Sequence, residues 1–213
     1  KQLSGGMQQR TAIARALAAQ GLHVLAHANR NRAAAEQLVA DIRAAGGSAN
    51  SVVFDVTDGA ASAAALAQLL EGGPMQVLVH NAGVHDDGVV AGLRPEQWQR
   101  VVDVNLNGFF NVAQPLMLPM LRTRWGRIVA ITSVAGQAGN RGQVNYAAAK
   151  AGLHGFSMSL AREVARLHTV HGVPAQVEHA VQVHADHRVP LRLVHLAQGG
   201  VAGDAGVVDQ DVE

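Results

Sequence analysis

Tyr146 and Lys150 are the residues whose types and spacing best suit chemistry. Tyr146 is the only tyrosine in 213 residues, and Lys150 is one of two lysines beside fifteen arginines. On a helix, a separation of four puts both side chains on one face, one above the other. A phenol with an ammonium alongside is a good proton donor, because the cation favours the phenolate of a group that otherwise titrates near about 10. A second hydroxyl, Ser133, stands upstream.

The elements around these residues decide whether the pair means anything, since a lone Tyr-x-x-x-Lys is usually an ordinary helix-surface pair. Gly126-Arg-Ile-Val-Ala-Ile-Thr132 reads as a short strand buried on both faces that ends at Ser133. The carboxyl end of a parallel strand is where open α/β sheets bind their ligands. Between Ser133 and Tyr146 lies Val-Ala-Gly-Gln-Ala-Gly-Asn-Arg-Gly-Gln-Val-Asn, whose glycines can turn the chain back and bring the two hydroxyls together. Strand, serine, glycine-rich turn and Tyr-x-x-x-Lys in that order seldom arise by chance.

Ile131-Thr-Ser-Val-Ala-Gly136 and Gly139-Asn-Arg-Gly-Gln-Val-Asn-Tyr-Ala-Ala-Ala-Lys-Ala-Gly152 resemble the short-chain dehydrogenase/reductase family, and within it most closely the 3-oxoacyl-acyl-carrier-protein reductases. The resemblance covers about residues 12–166. It implies a nicotinamide cofactor and a Rossmann-like, doubly wound parallel sheet in three α/β/α layers, here expected to be incomplete at both ends. The family's catalytic serine, tyrosine and lysine fall on Ser133, Tyr146 and Lys150, and its catalytic asparagine on Asn105 in Val104-Asn-Leu-Asn-Gly108.

Composition sets wider bounds. The length suits one domain with a core able to fold alone. A net charge of +1, from seventeen basic and sixteen acidic residues, gives no reason to expect nucleic acid or a membrane surface as partner. The absence of cysteine excludes disulfides and thiol chemistry and fits a reducing compartment. With no run of about eighteen apolar residues and no signal-peptide pattern, the expectation is a cytoplasmic protein.

Residues 1–17, Lys-Gln-Leu-Ser-Gly-Gly-Met-Gln-Gln-Arg-Thr-Ala-Ile-Ala-Arg-Ala-Leu, resemble instead the signature helix of ATP-binding-cassette transporter ATPases. No Gly-x-x-x-x-Gly-Lys loop accompanies them, so ATP hydrolysis is not expected. Short-chain reductases have here a first strand and a Thr-Gly-x-x-x-Gly-x-Gly turn. Counted back from Gly21, those motif positions fall on Leu3, Ser4, Gln8 and Arg10, none of which is a family residue. Such a chain would bind nicotinamide cofactor weakly. Both families share the pattern Ala12-Ile-Ala and Ala16-Leu-Ala, so a chimeric join would keep this helix's buried face, and Ser4-Gly5-Gly6 can still present N–H groups to a phosphate.

Leu22 to Ala28 reads as the next strand, followed by Asn29-Arg-Asn-Arg32 and an amphipathic helix to about Ala45. A carboxylate at that strand end would hold the ribose diol of NAD, whereas arginine suits a 2′-phosphate, so Asn29 and Arg30 point to NADP(H). Ser51-Val-Val-Phe-Asp-Val56 reads as a strand, and Asp55-Val56 matches the family's adenine contact; Asp55 could equally cap the following helix. Met75-Gln-Val-Leu-Val79 reads as a strand ending in His80-Asn-Ala-Gly83, similar to the family's Asn-Asn-Ala-Gly. Small residues at Asn81, Ala82 and Gly83 let the backbone approach the cofactor, Asn81 can tie neighbouring strands, and His80 is a tolerated variant. Arg94-Pro-Glu-Gln-Trp98 opens a helix that runs through Asn105 to about Arg122, with Phe109, Val112, Leu116 and Met120 at helical spacing as core or subunit contact.

After Arg166 no family pattern is expected, and residues 167–213 read as a tail of unknown origin following a reductase-like domain over 1–166 that is atypical in 1–11. His184-x-x-His187 could in principle hold a metal, but no constellation of acidic residues or cysteines accompanies it and no metal is expected; 199–213 reads as a frayed end. The combined expectation is NADPH-dependent reduction of a 3-oxoacyl thioester by a homodimer or homotetramer acting on a small-molecule or carrier-protein-bound acyl substrate. The rival is a non-catalytic chimeric remnant with little cofactor binding.

Overall fold

The structure is a computed structural model that describes residues 5–168, 181–183 and 192–197, with side chains described over 11–164. Helices and strands alternate as far as β3, and in chain order the elements are α1 (Gly5–Ala19), β1 (His23–Ala28), α2 (Arg32–Ala44), β2 (Ser48–Val53), α3 (Gly59–Glu71), β3 (Val77–His80), α4 (Pro95–Val102), α5 (Gly108–Arg122), β4 (Gly126–Ala130), the single turn α6 (Ala135–Ala138), α7 (Val144–His168), β5 (Val181–Val183) and β6 (Arg192–Ala197). The strands form one sheet in the order β2-β1-β6-β3-β4-β5. Neighbours pair in parallel except β4 with β5, which pair antiparallel at the edge.

The period-2 alternation of the strands sorts their side chains between two cores. Val24 and Ala26 of β1 and Val77 and Val79 of β3 pack with Ala14 and Ala18 of α1 and Val39 and Ile42 of α2. Leu25 and Leu78 face the opposite layer, with Leu66 of α3, Leu116 and Met120 of α5, and Leu153 and Leu160 of α7. Helices on both faces of a mostly parallel sheet are the expected doubly wound, three-layer architecture. Phe109, Val112, Leu116 and Met120 are completely buried, so that stripe is core rather than a substrate surface.

Several boundaries differ from the sequence reading. The strand expected over 51–56 is β2, Ser48–Val53. The apolar run continues because Phe54 and Val56 are buried after the backbone has left the ladder. The strand before Ser133 ends at Ala130, although Ile131 N–H still donates to the His80 carbonyl at 2.9 Å. The helix read from Arg94 to Arg122 is interrupted: α4 passes into a π turn over Asp103–Asn107 before α5 begins.

The larger difference lies in the middle of the sheet. A doubly wound sheet of order 3-2-1-4-5-6 has its first strand at the centre. The sequence reading found no family-like first strand before α1 to occupy that position and expected the sheet to be incomplete at both ends. Instead β6 fills it, pairing His23–Ala28 on one side and Val77–His80 on the other. The segment after Arg166 thus contributes β5 and β6 to the same sheet as residues 23–130. The histidines at 184 and 187 and the run 199–213 lie outside the described residues. Among the described residues no helix is long and apolar enough to cross a membrane.

Candidate active site

Tyr146 sits in the first turn of α7, on a residue run that is helical from Val144. Its neighbour Asn145 is fully buried and anchors this turn. The Asn145 carboxamide donates to the Asp86 carbonyl at 3.0 Å and its oxygen accepts from Tyr146 N–H at 2.8 Å. Gly88 N–H donates to the Gly142 carbonyl at 2.7 Å, and Gln143 donates to the Asp87 carboxylate at 3.0 Å. The loop after β3 is thereby fastened to the entry of α7. Gly139 and Gly142 have φ of 76° and 77°, the left-handed conformations that turn the chain back between Ser133 and Tyr146.

One helical turn further on, Lys150 is 4% exposed, and its Nζ donates to the Ile131 carbonyl at 2.9 Å. Nζ lies 5.6 Å from the centre of the Tyr146 ring, so the two side chains share a face. Burial lowers the Lys150 ammonium to about 8, because the charged form loses hydration. At neutral pH it stays protonated in the main. Ser133 is half-buried in the turn between β4 and α7, its hydroxyl accepting from Ala135 N–H at 3.2 Å. That turn rests directly on α7: a Cβ on Gly136 would stand 2.9 Å from Ala151 N and 3.0 Å from Lys150 Cβ.

The π turn brings in Asn105. A π turn inserts one residue into the helical register and redirects side chains at its middle. Asn105 is fully buried, and its amide donates to the carbonyls of Val84 at 2.7 Å and Val101 at 2.8 Å. Its Oδ1 is buried with no partner among the described residues. A Cβ on Gly83 would stand 2.8 Å from that Oδ1 and 3.3 Å from Lys150 Nζ. An acceptor without a partner among the described residues and a cation therefore flank a backbone position that has no side chain.

The other cofactor candidates gather at the carboxyl ends of β1, β2 and β3. Asn29 Nδ2 reaches Asp55 Oδ2 at 3.5 Å, joining the ends of β1 and β2. Burial works to raise the Asp55 carboxyl, but hydrogen bonds from the Thr57 backbone and hydroxyl and from Asn29, with the charge of Arg30, outweigh it and hold the group below its ordinary value. The cap of α3 is Asp58, which accepts from Ala61 N–H at 2.9 Å, so Asp55 does not serve there. Arg30 is exposed and makes no ion pair among the described residues.

Two candidates are placed differently from the sequence reading. Val56 is completely buried against Gly108, and its carbonyl accepts from Asn111 at 2.8 Å, so its side chain belongs to the core. Asn81 Nδ2 is buried without a partner among the described residues, and the tie between β3 and β4 at this level is made by backbone, Ile131 N–H to His80. Ala82 is fully buried. His80 is fully buried beside Phe109, and desolvation together with the Lys150 charge pushes it down to about 3, so it is neutral. The residues that reading overlooked are Asn145, Asp86 and Gly136. Only the position of Asn145, directly before Tyr146, offered a signal.

Among the described residues, the buried Asn81 amide and the buried Asn105 carbonyl have no partner, and the latter faces the side-chain-free backbone of Gly83 just beyond β3. These are groups suited to a polar, flat ligand laid across the strand ends, as a dinucleotide would be. A family profile described as short chain dehydrogenase matches residues 10–182, and the chain belongs to that family. The match runs past Arg166, where the sequence reading expected none.

Among its relatives, the 3-oxoacyl-[acyl-carrier-protein] reductase of Escherichia coli is 42% identical over 72% of this chain and 62% of its own length. The 3-oxoacyl-[acyl-carrier-protein] reductase of Synechocystis is 41% identical over 76% of the chain and 65% of its length. The acetoacetyl-CoA reductase of Cupriavidus necator is 40% identical over 73% of the chain and 63% of its length. The chain thus spans somewhat less than two thirds of the length of the relatives it matches.

Proposed function

We propose that the chain is an oxidoreductase that reduces a 3-oxoacyl thioester, carried by acyl carrier protein, to the 3-hydroxyacyl form with NADPH. The observation that carries this reading is the convergence of Lys150 Nζ and the open Asn105 Oδ1 on Gly83, with Tyr146 one helical turn from Lys150. Asn29, Arg30 and Asp55 would hold the adenosine end of the cofactor, with Arg30 on the 2′-phosphate. Asn81, Ala82 and Gly83 would line its middle, and Tyr146 and Lys150 the nicotinamide ribose. Bound there, the nicotinamide supplies the hydride that the substrate's carbonyl carbon accepts.

The chain's own groups handle the proton. Tyr146 donates its phenolic proton to the carbonyl oxygen as negative charge develops there. Lys150, held by the Ile131 carbonyl, sets a positive charge beside the phenolate that results. Ser133 donates to the same carbonyl oxygen and orients it. Asn105 Oδ1, without a partner among the described residues, would hold a water through which the lysine is reprotonated. The names of the relatives include reductases of both carrier-protein and coenzyme A thioesters, and the chemistry at the carbonyl is the same for each.

Exposed apolar side chains on α5 and α7, Phe110, Leu118 and Met158, support association of two or four copies through these helices. The functional reading is tested by following NADPH oxidation with acetoacetyl thioesters. Tyr146→Phe is expected to abolish turnover while leaving the far-ultraviolet circular dichroism unchanged. A Tyr146→Phe protein with the parent's rate would refute it, and a parent that binds no NADPH would favour the non-catalytic remnant.

A further inference from the structure

The loop that follows β3 brings an imidazole against Tyr146. His85 stands two residues beyond Gly83. Its Nδ1 lies 3.3 Å from the Asp87 carboxylate, and its ring meets that of Tyr146 edge to face with the ring centres 6.5 Å apart, within the range of an aromatic contact. The side chain is nonetheless 64% exposed, so the ring borders solvent rather than core. A carboxylate–imidazole pair so exposed contributes little to stability, and on a loose loop it would have no fixed direction.

This loop is tied down on both sides of the ring. The Asp86 carboxylate accepts from Gln97 at 2.7 Å and from Arg100 at 3.3 Å, both on α4, and the Asp86 carbonyl accepts from the buried Asn145. Asp87 is fixed from the entry of α7: Oδ2 accepts from Gln143 at 3.0 Å while Oδ1 faces His85. The imidazole is thus bracketed by Asp87 and Tyr146 and is oriented before any ligand arrives. A carboxylate only accepts, so the proton of the ring sits on Nδ1. Nε2, across the ring, has no partner among the described residues. In the neutral ring Nε2 is then a bare lone pair, and in the imidazolium it is a donor.

Resting on the 3-oxoacyl reductase reading above, we propose that His85 is a substrate-binding residue whose imidazolium donates from Nε2 to the thioester carbonyl oxygen. In a 3-oxoacyl thioester that carbonyl is separated by a single methylene from the ketone that Tyr146 and Ser133 engage. A substrate seated on Tyr146 therefore carries its second carbonyl alongside, and His85 is the polar side chain that the loop after β3 sets against the phenol ring. Two carbonyls held at once fix the plane of the reacting unit and favour 3-oxoacyl thioesters over ketones with one carbonyl. Of the charged groups on the packed elements, Asp86 is turned to Arg100 and Lys150 to the Ile131 carbonyl, which leaves Asp87 as the charge facing the ring. Because only the imidazolium donates at Nε2, thioester binding weakens as pH rises through the range of about 5 to 8 in which imidazole gives up its proton.

The test uses full-length protein and follows NADPH oxidation with acetoacetyl-CoA and with cyclohexanone, which has one carbonyl; thermal unfolding checks that each variant is folded. His85→Phe keeps a ring beside Tyr146 but has no donor. It is expected to lower kcat/KM for acetoacetyl-CoA at least about tenfold more than for cyclohexanone, chiefly through KM, as the loss of one charge-assisted hydrogen bond would. His85→Gln, a donor at every pH, is expected to recover part of that ratio. The parent's KM for acetoacetyl-CoA should rise severalfold between about pH 6 and pH 8, and that of His85→Gln should stay level over the same range. A parent that reduces both substrates while His85→Phe keeps its ratio would overturn the proposal and leave the reductase reading standing. If the parent reduces only the thioester, a KM with the same pH dependence in parent and His85→Gln would do so. A parent that reduces neither substrate would overturn both readings.

Discussion

Replacing Gly83 by alanine adds one methyl at the point where three functional groups meet, and its cost can be worked from the geometry. The new Cβ would stand 2.8 Å from Asn105 Oδ1 and 3.3 Å from Lys150 Nζ, the first of which no relaxed structure tolerates. Asn105 cannot swing away freely, because its amide is held by the Val84 and Val101 carbonyls at 2.7 and 2.8 Å. The variant must either overpack, at about 1–3 kcal/mol, or break one of those bonds, at about 1 kcal/mol or more with a buried amide left open. A destabilisation of about 2 kcal/mol is expected, which for a chain of this size lowers the unfolding temperature by about 4–8 °C. Because the displaced groups are those assigned to catalysis, turnover should fall further than stability, at temperatures where the variant is folded. Asn105→Ala removes the obstacle, so in that background the stability cost of Gly83→Ala should shrink to well under half, a coupling that a double-mutant cycle reads directly. Denaturant unfolding of the four proteins measures it. Equal costs in both backgrounds would show that Asn105 and Gly83 are not in contact, and the site as described would be wrong.

Lys150→Met is expected to be inactive yet more stable than the parent at pH 7, because the folded parent must keep an ammonium whose burial lowers it from 10.5 to about 8. Between those values the unfolded chain binds more protons than the folded one, so the parent gains stability as pH rises from 8 towards 10.5. The advantage of Lys150→Met, about 3 kcal/mol at neutral pH, should shrink over that window; an advantage independent of pH would refute the burial argument. Arg30→Ala should weaken NADPH by about 1.5–3 kcal/mol, the worth of a charge-assisted phosphate contact, and leave NADH unchanged. Isothermal titration with both cofactors checks this, and equal weakening would show that Arg30 does not read the 2′-phosphate.

The chemistry-bearing residues were legible along the chain because their information is local. Four residues of helix put Tyr146 and Lys150 on one face wherever the helix lies, and an arginine after a strand is readable without knowing the sheet. The same holds for the buried side of α1, where Ala14 and Ala18 follow from helical period alone. Burial of Phe109, Val112, Leu116 and Met120 was likewise carried by spacing.

Other properties depend on what lies across the molecule. The π turn that aims Asn105 at Gly83 costs a helical hydrogen bond and is stabilised by Val84, a residue 21 positions away, so no local preference announces it. Val56 matches the family's adenine contact in sequence, but only the tertiary structure shows its side chain packed in the core, and Phe54 extended an apolar run beyond the strand because a core, not a ladder, receives it. Strand order is the extreme case. The six residues Arg192–Ala197 read as part of an unmatched tail, and only pairing with β1 and β3 sets them at the centre of the sheet. A strand's hydrogen bonds are made with other strands, and its own sequence cannot say which neighbours have a gap for it.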